Sequence, residues 1–357
     1  MKSLLLVLVL LSLSFGGEEL YKRYCSSCHG EDRLGKSAPP LLPLFFMSKS
    51  DDYIYQIIKK GTTGMPSFEN LKEEEIKAIV EFIKKPIDEE KIKWEAERIK
   101  EEILNLKEVK VKSLWDYTVV VERGKGLLWI MEGPKILEKV PFSDIHGGIK
   151  FSKDGKLYIP SRSGWVGMYS PKEGKLKKVR ACIYLRNIAL SSDGEVLIAS
   201  CWLPSSLVLF DKDLNLIDIK RVEGKINAVY ELNKRGGFIF TFRDRPYVGF
   251  LDREGYEILY KNLDTTLEDF TLDPLEEYLI GTTRDGLRIY SLEDLRLVKT
   301  LKISGLPHLA STYFWYSKGD FYFSTPILKK PVLSVWKAYT WEHVKDIPLR
   351  GMGFLAR

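Results

Sequence analysis

Gly155-Lys156-Leu157-Tyr158-Ile159 is a turn followed by a β-strand, and this pattern recurs four more times along the 357-residue chain. Each later copy again starts with a turn: Gly194-Glu-Val-Leu-Ile, Gly236-Gly-Phe-Ile-Phe, Glu276-Glu-Tyr-Leu-Ile and Gly319-Asp-Phe-Tyr-Phe. The strands that follow the turns start 39, 42, 40 and 43 residues apart, at Leu157, Val196, Phe238, Tyr278 and Phe321. A second and a third strand-like segment follow each of them. A period of about 40 residues with several strands per repeat predicts the blades of a β-propeller.

The predicted propeller extends over residues 109–357. We expect five full blades and a partial blade at Val119 to Val140. The chain stops on Gly353-Phe-Leu-Ala-Arg, where a further blade would begin. A truncated product, a smaller closed ring, and a ring completed by a second chain or a second copy in a homodimer all remain open.

The N-terminus has the pattern of a secretion signal. Met1-Lys2 is positively charged, Leu4 to Leu13 is apolar, and Ser14-Phe15-Gly16 offers a small-residue cleavage site. This pattern predicts a signal peptide at residues 1–17. The apolar run is short for a membrane span, so we expect cleavage, with an uncleaved anchor as the alternative. Either way the protein is expected in the periplasm.

The charge distribution predicts a solvated surface, and two cysteines lie outside the C-x-x-C-H motif. The net charge is +6, but Lys and Glu are interspersed, and no basic tract with interleaved aromatic residues predicts nucleic-acid binding. Cys182 and Cys201 are predicted either to form a disulfide or to be two buried free thiols.

Cys25-Ser26-Ser27-Cys28-His29 is the C-x-x-C-H pattern of covalent c-type haem attachment. Cys25 and Cys28 lie on one helical turn and can reach the two vinyl groups of a porphyrin, while His29 gives a nitrogen to the iron. A redox-active or zinc-binding C-x-x-C is the alternative. The Gly64-Met65-Pro66 loop argues against it, because Met65 is a suitable second axial ligand. Met47 is the rival ligand but lacks this loop.

Residues 18–86 therefore predict a small helical domain with one covalent haem c, and they resemble class I cytochromes c. Helices are expected at Glu18–Cys28, Asp51–Lys60 and Lys72–Lys84, with a carbonyl near Pro39-Pro40-Leu41 that can accept the ring N–H of His29. Residues 87–108 are rich in Glu and Lys and are predicted to form an amphipathic linker helix.

The order of cytochrome c, linker and propeller resembles the cytochrome cd1 family, the NO-forming nitrite reductases and the related proteins that mature or carry haem d1. Several short segments share this resemblance: Ile145-His146-Gly147, Phe151 to Tyr158, Ser161-Arg162-Ser-Gly, Arg186 to Ser191, Ala199 to Pro204, Lys225 to Tyr230 and Leu306-Pro307-His308. The resemblance implies an eight-bladed propeller that holds haem d1 or its precursor non-covalently on its axis. About six of those blades are present here.

The resemblance also implies roles for individual residues. His146 corresponds to the axial ligand of the haem d1 iron, and Arg162 and Arg186 are expected to pair with haem carboxylates. His308 matches one of the two distal histidines of the nitrite-reducing members, whereas Glu268 stands in place of the other. A carboxylate is a poor partner for nitrite, because two anions would be brought together. His343 is predicted to be a surface residue.

Glu268 therefore favours the biosynthetic relatives, in which a propionate side chain of dihydro-haem d1 is oxidised to an acrylate. The haem c would remove the electrons, and His308 and Glu268 are the candidates for removing the proton. Two alternatives remain, a cytochrome cd1 nitrite reductase and a non-enzymatic haem d1 carrier. The expected partners are a periplasmic redox protein and either nitrite reductase or another haem d1 maturation protein.

Overall fold

A computed structural model describes residues 16–62, 64–99, 101–104 and 110–351, with the backbone alone described for 101–104. The chain divides into two compact units, one up to Ile92 and one from Lys93. The predicted signal sequence, apart from its last two residues, and the C-terminal Gly353-Phe-Leu-Ala-Arg lie outside the described residues. None of the described helices combines the length and apolarity that a membrane crossing requires.

The first unit is helical. Its helices are α1 (Gly17–Tyr24), α2 (Ser26–His29), α3 (Pro43–Phe46), α4 (Asp51–Lys60) and α5 (Glu73–Ile83). The buried side chains of α5 recur at helical spacing and share one core with Leu20 and Tyr21 of α1. The hydroxyl of Ser50 caps α4 by accepting the Tyr53 N–H at 3.2 Å. The second and third predicted helices are confirmed, whereas the first is interrupted at Cys25.

The prediction of a linker helix at residues 87–108 is wrong. In its described part the segment has two short 3₁₀ turns, Glu89–Lys91 and Ala96–Arg98, followed by strand β1 (Glu101–Leu104). β1 pairs antiparallel with Lys175–Arg180 in the second unit. This pairing satisfies backbone groups at the edge of a sheet, and such tertiary hydrogen bonding outweighs the helix propensity of Glu and Lys.

The second unit is made of strands. After β1 they are β2 (Tyr117–Glu122), β3 (Leu127–Glu132), β4 (Lys135–Pro141), β5 (Lys150–Phe151), β6 (Leu157–Pro160), β7 (Trp165–Ser170), β8 (Lys175–Arg180), β9 (Tyr184–Leu190), β10 (Val196–Leu203), β11 (Ser205–Asp211), β12 (Leu216–Arg221), β13 (Ile226–Glu231), β14 (Phe238–Phe242), β15 (Tyr247–Leu251), β16 (Ile258–Asn262), β17 (Asp269–Leu272), β18 (Tyr278–Thr283), β19 (Gly286–Ser291), β20 (Leu297–Lys302), β21 (Leu306–Pro307), β22 (Tyr313–Ser317), β23 (Asp320–Leu328), β24 (Val332–Lys337) and β25 (His343–Pro348). Short 3₁₀ turns lie at Arg123–Lys125 and Leu309–Ser311.

Within the described residues these strands form six antiparallel sheets. The sheets are β2–β4, β5–β8 with β1 at the outer edge, β9–β12, β13–β16, β17–β20 and β21–β25. Four of the predicted strand starts coincide with those of β6, β10, β14 and β18, and β23 starts one residue before the fifth. The fold class, a helical domain followed by a propeller, is confirmed, and the number of blades in a complete ring stays a prediction.

The first strands of neighbouring sheets stand side by side. Asn187 of β9 is buried, and its Oδ1 accepts the Val229 N–H of β13 while its Nδ2 donates to the Val229 carbonyl, both at 3.0 Å. Asn227 of β13 makes half of this contact with the next sheet, since its Nδ2 donates to the Leu267 carbonyl at 2.5 Å. Buried amides thus join three successive sheets along one line.

Replacing Asn187 with alanine is expected to lower the free energy of unfolding of the second unit by about 2 to 4 kcal/mol. The reason is that the Val229 backbone groups stay buried without partners. All eight tryptophans follow residue 93, so tryptophan fluorescence during urea unfolding reports on this unit alone. Asn233→Ala changes an exposed turn residue and should cost less than about 0.5 kcal/mol. Equal losses in the two variants would contradict the assigned role of Asn187.

Candidate functional site

The C-x-x-C-H motif lies at the junction of α1 and α2. Cys25 is buried, Cys28 is exposed, and both are free thiols. The Pro39 carbonyl lies 2.7 Å from Nδ1 of His29, as expected. A carbonyl can only accept, so Nδ1 carries the proton and Nε2 keeps its lone pair. Burial lowers the pKa of His29 against the opposing effect of this hydrogen bond, and the ring is neutral.

Met65 lies on the same core as the motif. It packs against the apolar cluster that contains Cys25, and its loop is held by a pair of backbone hydrogen bonds between Thr62 and Met65, at 2.9 and 3.0 Å. Met47, the rival ligand, is 73% exposed. Two free thiols, a neutral histidine with an available nitrogen, and a half-buried thioether are a donor set that fits haem c.

Met65→Ala is expected to abolish the near-infrared band of the iron–thioether bond and to lower the midpoint potential by on the order of 0.1 V or more, because the thioether stabilises ferrous iron. Optical redox titration of the haem-loaded protein measures both. Met47→Ala removes the exposed methionine and should leave both unchanged. If instead Met47→Ala removes the band, Met65 is not the ligand.

His146 precedes the second sheet, and its backbone N–H donates to the Pro160 carbonyl at 3.0 Å. The Arg186 carbonyl lies 3.4 Å from Nδ1 and Arg162 Nη2 lies 2.8 Å from Nε2. A carbonyl only accepts and a guanidinium only donates, so the proton is on Nδ1 and Nε2 is the acceptor. Burial, followed by the charges of Arg162 and Arg186, lowers the pKa of His146 to about 3. His146 is therefore a neutral imidazole.

Arg162 and Arg186 flank a stacked aromatic pair. The rings of Tyr184 and Trp202 are 5.2 Å apart and inclined by 16°. The Arg162 guanidinium lies 5.9 Å from the Tyr184 ring, and that of Arg186 lies 5.1 Å from the Trp202 ring. Arg186 Nε also donates to the Asn227 carbonyl at 3.1 Å. Among the described residues neither guanidinium forms an ion pair with a carboxylate.

A disulfide lies beside this aromatic pair. Cys182 and Cys201 are bonded, so the first of the two alternatives considered for them is correct. Both are buried, and they come two residues before Tyr184 and one residue before Trp202. The crosslink therefore joins the two segments that carry the stacked rings.

Glu268 forms an ion pair with Arg243, whose guanidinium also lies near Trp202. Arg243 Nη2 donates to Glu268 Oε2 at 2.7 Å, and the Arg243 guanidinium lies 5.7 Å from the Trp202 ring. The hydrogen bond from Arg243 thus occupies one of the two carboxylate oxygens of Glu268.

His308 begins the short 3₁₀ turn after β21. Its Nδ1 lies 3.0 Å from the Ser311 hydroxyl. Asp269, the neighbour of Glu268, accepts the Ala310 N–H at 2.9 Å and so holds this turn. Burial raises the pKa of Asp269 against the charges of His308 and Arg186. Asp269 is thus a second carboxylate of the site, and sequence analysis missed it.

One series of contacts connects most of the predicted site residues. One branch runs from His146 through Arg162 and the aromatic pair to Arg186 and Arg243, and ends at Glu268. A second branch leads from Arg186 to Asp269 and His308 through electrostatic interactions. His343 lies apart from it, exposed on β25 beside Asp346, as predicted. Arg162 Nε is buried without a hydrogen-bond partner. The guanidiniums of Arg162 and Arg186, the flat aromatic rings and a neutral imidazole fit a planar, metal-containing polyanion such as a carboxylated tetrapyrrole.

Fold and site together define a c-type cytochrome joined to a tetrapyrrole-binding propeller. Comparison with known families agrees with this description. The family described as Cytochrome D1 heme domain matches residues 112–357, and that described as cytochrome C oxidase, cbb3-type, subunit III matches residues 16–83. The chain therefore belongs to the cytochrome d1 haem-domain family, with an N-terminal cytochrome c domain that carries covalent haem c.

Two relatives agree over nearly the whole chain. A curated protein of Pseudomonas aeruginosa, "Dihydro-heme d1 dehydrogenase", is 31% identical over 96% of this chain and 75% of its own length. The solved structure "Dihydro-heme d1 dehydrogenase NirN in complex with DHE" has a TM-score of 0.87 and 30% identity, over 96% of this chain and 79% of that one. The family predicted from the sequence, including its biosynthetic branch, is confirmed.

Proposed function

We propose that this protein oxidises a propionate side chain of dihydro-haem d1 to the acrylate of haem d1, with haem c taking up the electrons. The observation that carries the proposal is the neutral His146 close to Arg162 and Arg186, neither of which forms an ion pair at contact distance with a described carboxylate. A metal-bound polyanion would satisfy both. The relatives described above support the same substrate.

The reaction removes two electrons and two protons when –CH₂–CH₂–COO⁻ becomes –CH=CH–COO⁻. Haem c supplies a one-electron redox centre, so each double bond requires two electron transfers to an external one-electron acceptor. Of the two predicted candidates we assign the proton transfer to His308, because the hydrogen bond from Arg243 occupies Oε2 of Glu268. Asp269 holds the His308 turn, and Arg162 and Arg186 bind carboxylates of the substrate.

Nitrite reduction fits this site less well. It requires groups that hold and protonate an anion, and the family resemblance places a histidine at the position of Glu268. The ion pair between Arg243 and Glu268 offers nitrite neither a free cation nor an acidic proton.

We place the reaction in the periplasm, after export directed by the signal peptide at residues 1–17. The C-x-x-C-H motif and the disulfide support this compartment, because covalent haem attachment and disulfide formation both take place outside the cytoplasm. A periplasmic redox protein would accept the electrons. Nitrite reductase or another maturation protein would receive haem d1, which gives the protein its part in denitrification.

The test mixes the purified, haem c-loaded protein with dihydro-haem d1 and a one-electron acceptor without oxygen. Optical spectra and the mass of the extracted tetrapyrrole are then followed. A loss of two hydrogen atoms from the substrate is expected. A Cys25→Ser, Cys28→Ser control that lacks haem c should bind the substrate without converting it. Binding without conversion by the loaded protein would identify a carrier, and rapid formation of NO from nitrite would identify a reductase; either result overturns the proposal.

A further inference from the structure

Arg162 forms a hydrogen bond to the nitrogen of His146 that would coordinate an iron ion. Its Nη2 donates to His146 Nε2 at 2.8 Å, and Nε2 carries the only lone pair of the ring that is available for coordination. The other ring nitrogen is protonated towards the Arg186 carbonyl. The hydrogen bond to Arg162 and a bond to iron are therefore mutually exclusive.

The backbone of Arg162 is fixed and only its side chain can release this bond. Its N–H donates to the Asp144 carbonyl at 2.9 Å, and its own carbonyl accepts the Leu185 N–H at 3.1 Å. The guanidinium has a second donor, Nε, that is buried without a partner. It thus makes one hydrogen bond to a neutral acceptor where a carboxylate would accept two with charge assistance.

We propose that Arg162 gates His146: a carboxylate of the incoming tetrapyrrole draws the guanidinium away from Nε2, and His146 binds iron only after this exchange. The inference rests on the proposed function for the identity of the ligand. It adds that Arg162 binds a carboxylate before His146 binds iron, and that the site thereby selects tetrapyrroles that carry carboxylates. An iron tetrapyrrole without carboxylates would enter the same site and find its axial nitrogen already engaged.

Arg186 provides the matched comparison. It belongs to the same cluster and also forms no ion pair at contact distance with a described carboxylate, but its Nε donates to the Asn227 carbonyl rather than to a ring nitrogen. Both arginines can attract a carboxylate, and only Arg162 blocks His146. Replacement of Arg186 should therefore weaken binding of acidic ligands without releasing the imidazole.

The test compares haem d1 with its fully esterified form in the wild type, Arg162→Met and Arg186→Met. Stopped-flow difference spectra, with the haem c contribution subtracted, report the rate at which histidine ligates the added iron. In the wild type the ester should ligate at least tenfold more slowly than the acid. Arg162→Met should ligate the ester at least tenfold faster than the wild type, whereas Arg186→Met should leave the ester rate unchanged.

The increase in the ester rate is diagnostic, because loss of a residue that only binds carboxylates cannot accelerate ligation of a ligand that has none. If the ester reacts no faster with Arg162→Met than with the wild type, the gate is wrong. Melting curves followed by circular dichroism establish that the variants are folded.

A second measurement needs no tetrapyrrole. Diethyl pyrocarbonate acylates unprotonated imidazole nitrogen, and mass spectrometry of the labelled peptide gives the rate at His146, with exposed His343 as internal reference. Arg162→Met should raise this rate about tenfold and Arg186→Met should not. An unchanged rate overturns the gate. A raised rate without haem d1 binding would leave the gate standing and overturn the proposed function.

Discussion

Haem d1 and its dihydro precursor are expected not to be ligated by the second unit once His146 is replaced with alanine. The side chain is neutral, its Nδ1–H is directed at a carbonyl, and its backbone is held by the Pro160 carbonyl, so its Nε2 is oriented as an iron ligand. Loss of an axial ligand should weaken binding by roughly 100-fold or more, since loss of supporting residues alone costs about 10- to 100-fold. Optical titration of the haem c-loaded protein measures the effect.

The control for this substitution is His343→Ala, which removes an exposed histidine that contacts the Trp336 ring edge and Asp346. It should bind haem d1 like the wild type. Free imidazole should restore a histidine-like spectrum to His146→Ala, because the truncated side chain leaves room for it. Wild-type affinity in His146→Ala would remove this residue from the site.

His308→Ala is expected to slow oxidation of bound dihydro-haem d1 by about 10²- to 10⁴-fold, the usual contribution of a general base. Binding should change little, because the iron is held elsewhere. The Asp269 carboxylate would still hold the backbone of the 3₁₀ turn through Ala310, so the loss can be attributed to the imidazole. Single-turnover oxidation with a one-electron acceptor in excess, followed by the spectrum of the tetrapyrrole, separates the chemical step from substrate binding.

Glu268→Gln is the comparison for this experiment. The amide keeps the shape and a hydrogen-bond acceptor for Arg243 but removes the charge. If the paired carboxylate is not the base, the rate should fall by less than tenfold. A larger loss in Glu268→Gln than in His308→Ala would reverse the two roles.

Most of the fold was predictable because local sequence patterns determine most of its helices and strands. The helix Asp51–Lys60 follows from its cap and its apolar spacing, and the starts of four strands follow from repeated turns. The segment 87–108 was mispredicted for the opposite reason. Its composition favours a helix, but Glu101–Leu104 completes the edge of a sheet whose other strands lie some 50 to 80 residues later in the chain.

The site was predicted in part. His146, Arg162 and Arg186 came from resemblance, whereas Arg243, Tyr184 and Asp269 were missed. The repeat contains a signal for some of these residues. Arg162, Trp202 and Arg243 all lie at or just after the end of the second strand of a sheet, at intervals of 40 and 41 residues, and Arg186 follows His146 by 40. Equivalent positions in successive repeats reveal a site only when the packing of neighbouring sheets is known. Arg243, for example, pairs with Glu268, which lies 25 residues away in the sequence.

The buried amides that join the sheets have a consequence for how the second unit loses its structure. Repeat proteins with weak contacts between units open stepwise from their ends. Here both amide groups of Asn187 and the Nδ2 of Asn227 bond to the backbone of the next sheet, so detaching one sheet breaks buried hydrogen bonds to its neighbour. Opening is thereby made cooperative across sheets. A protease should encounter this unit either intact or extensively unfolded, with few half-open forms that still display the binding residues.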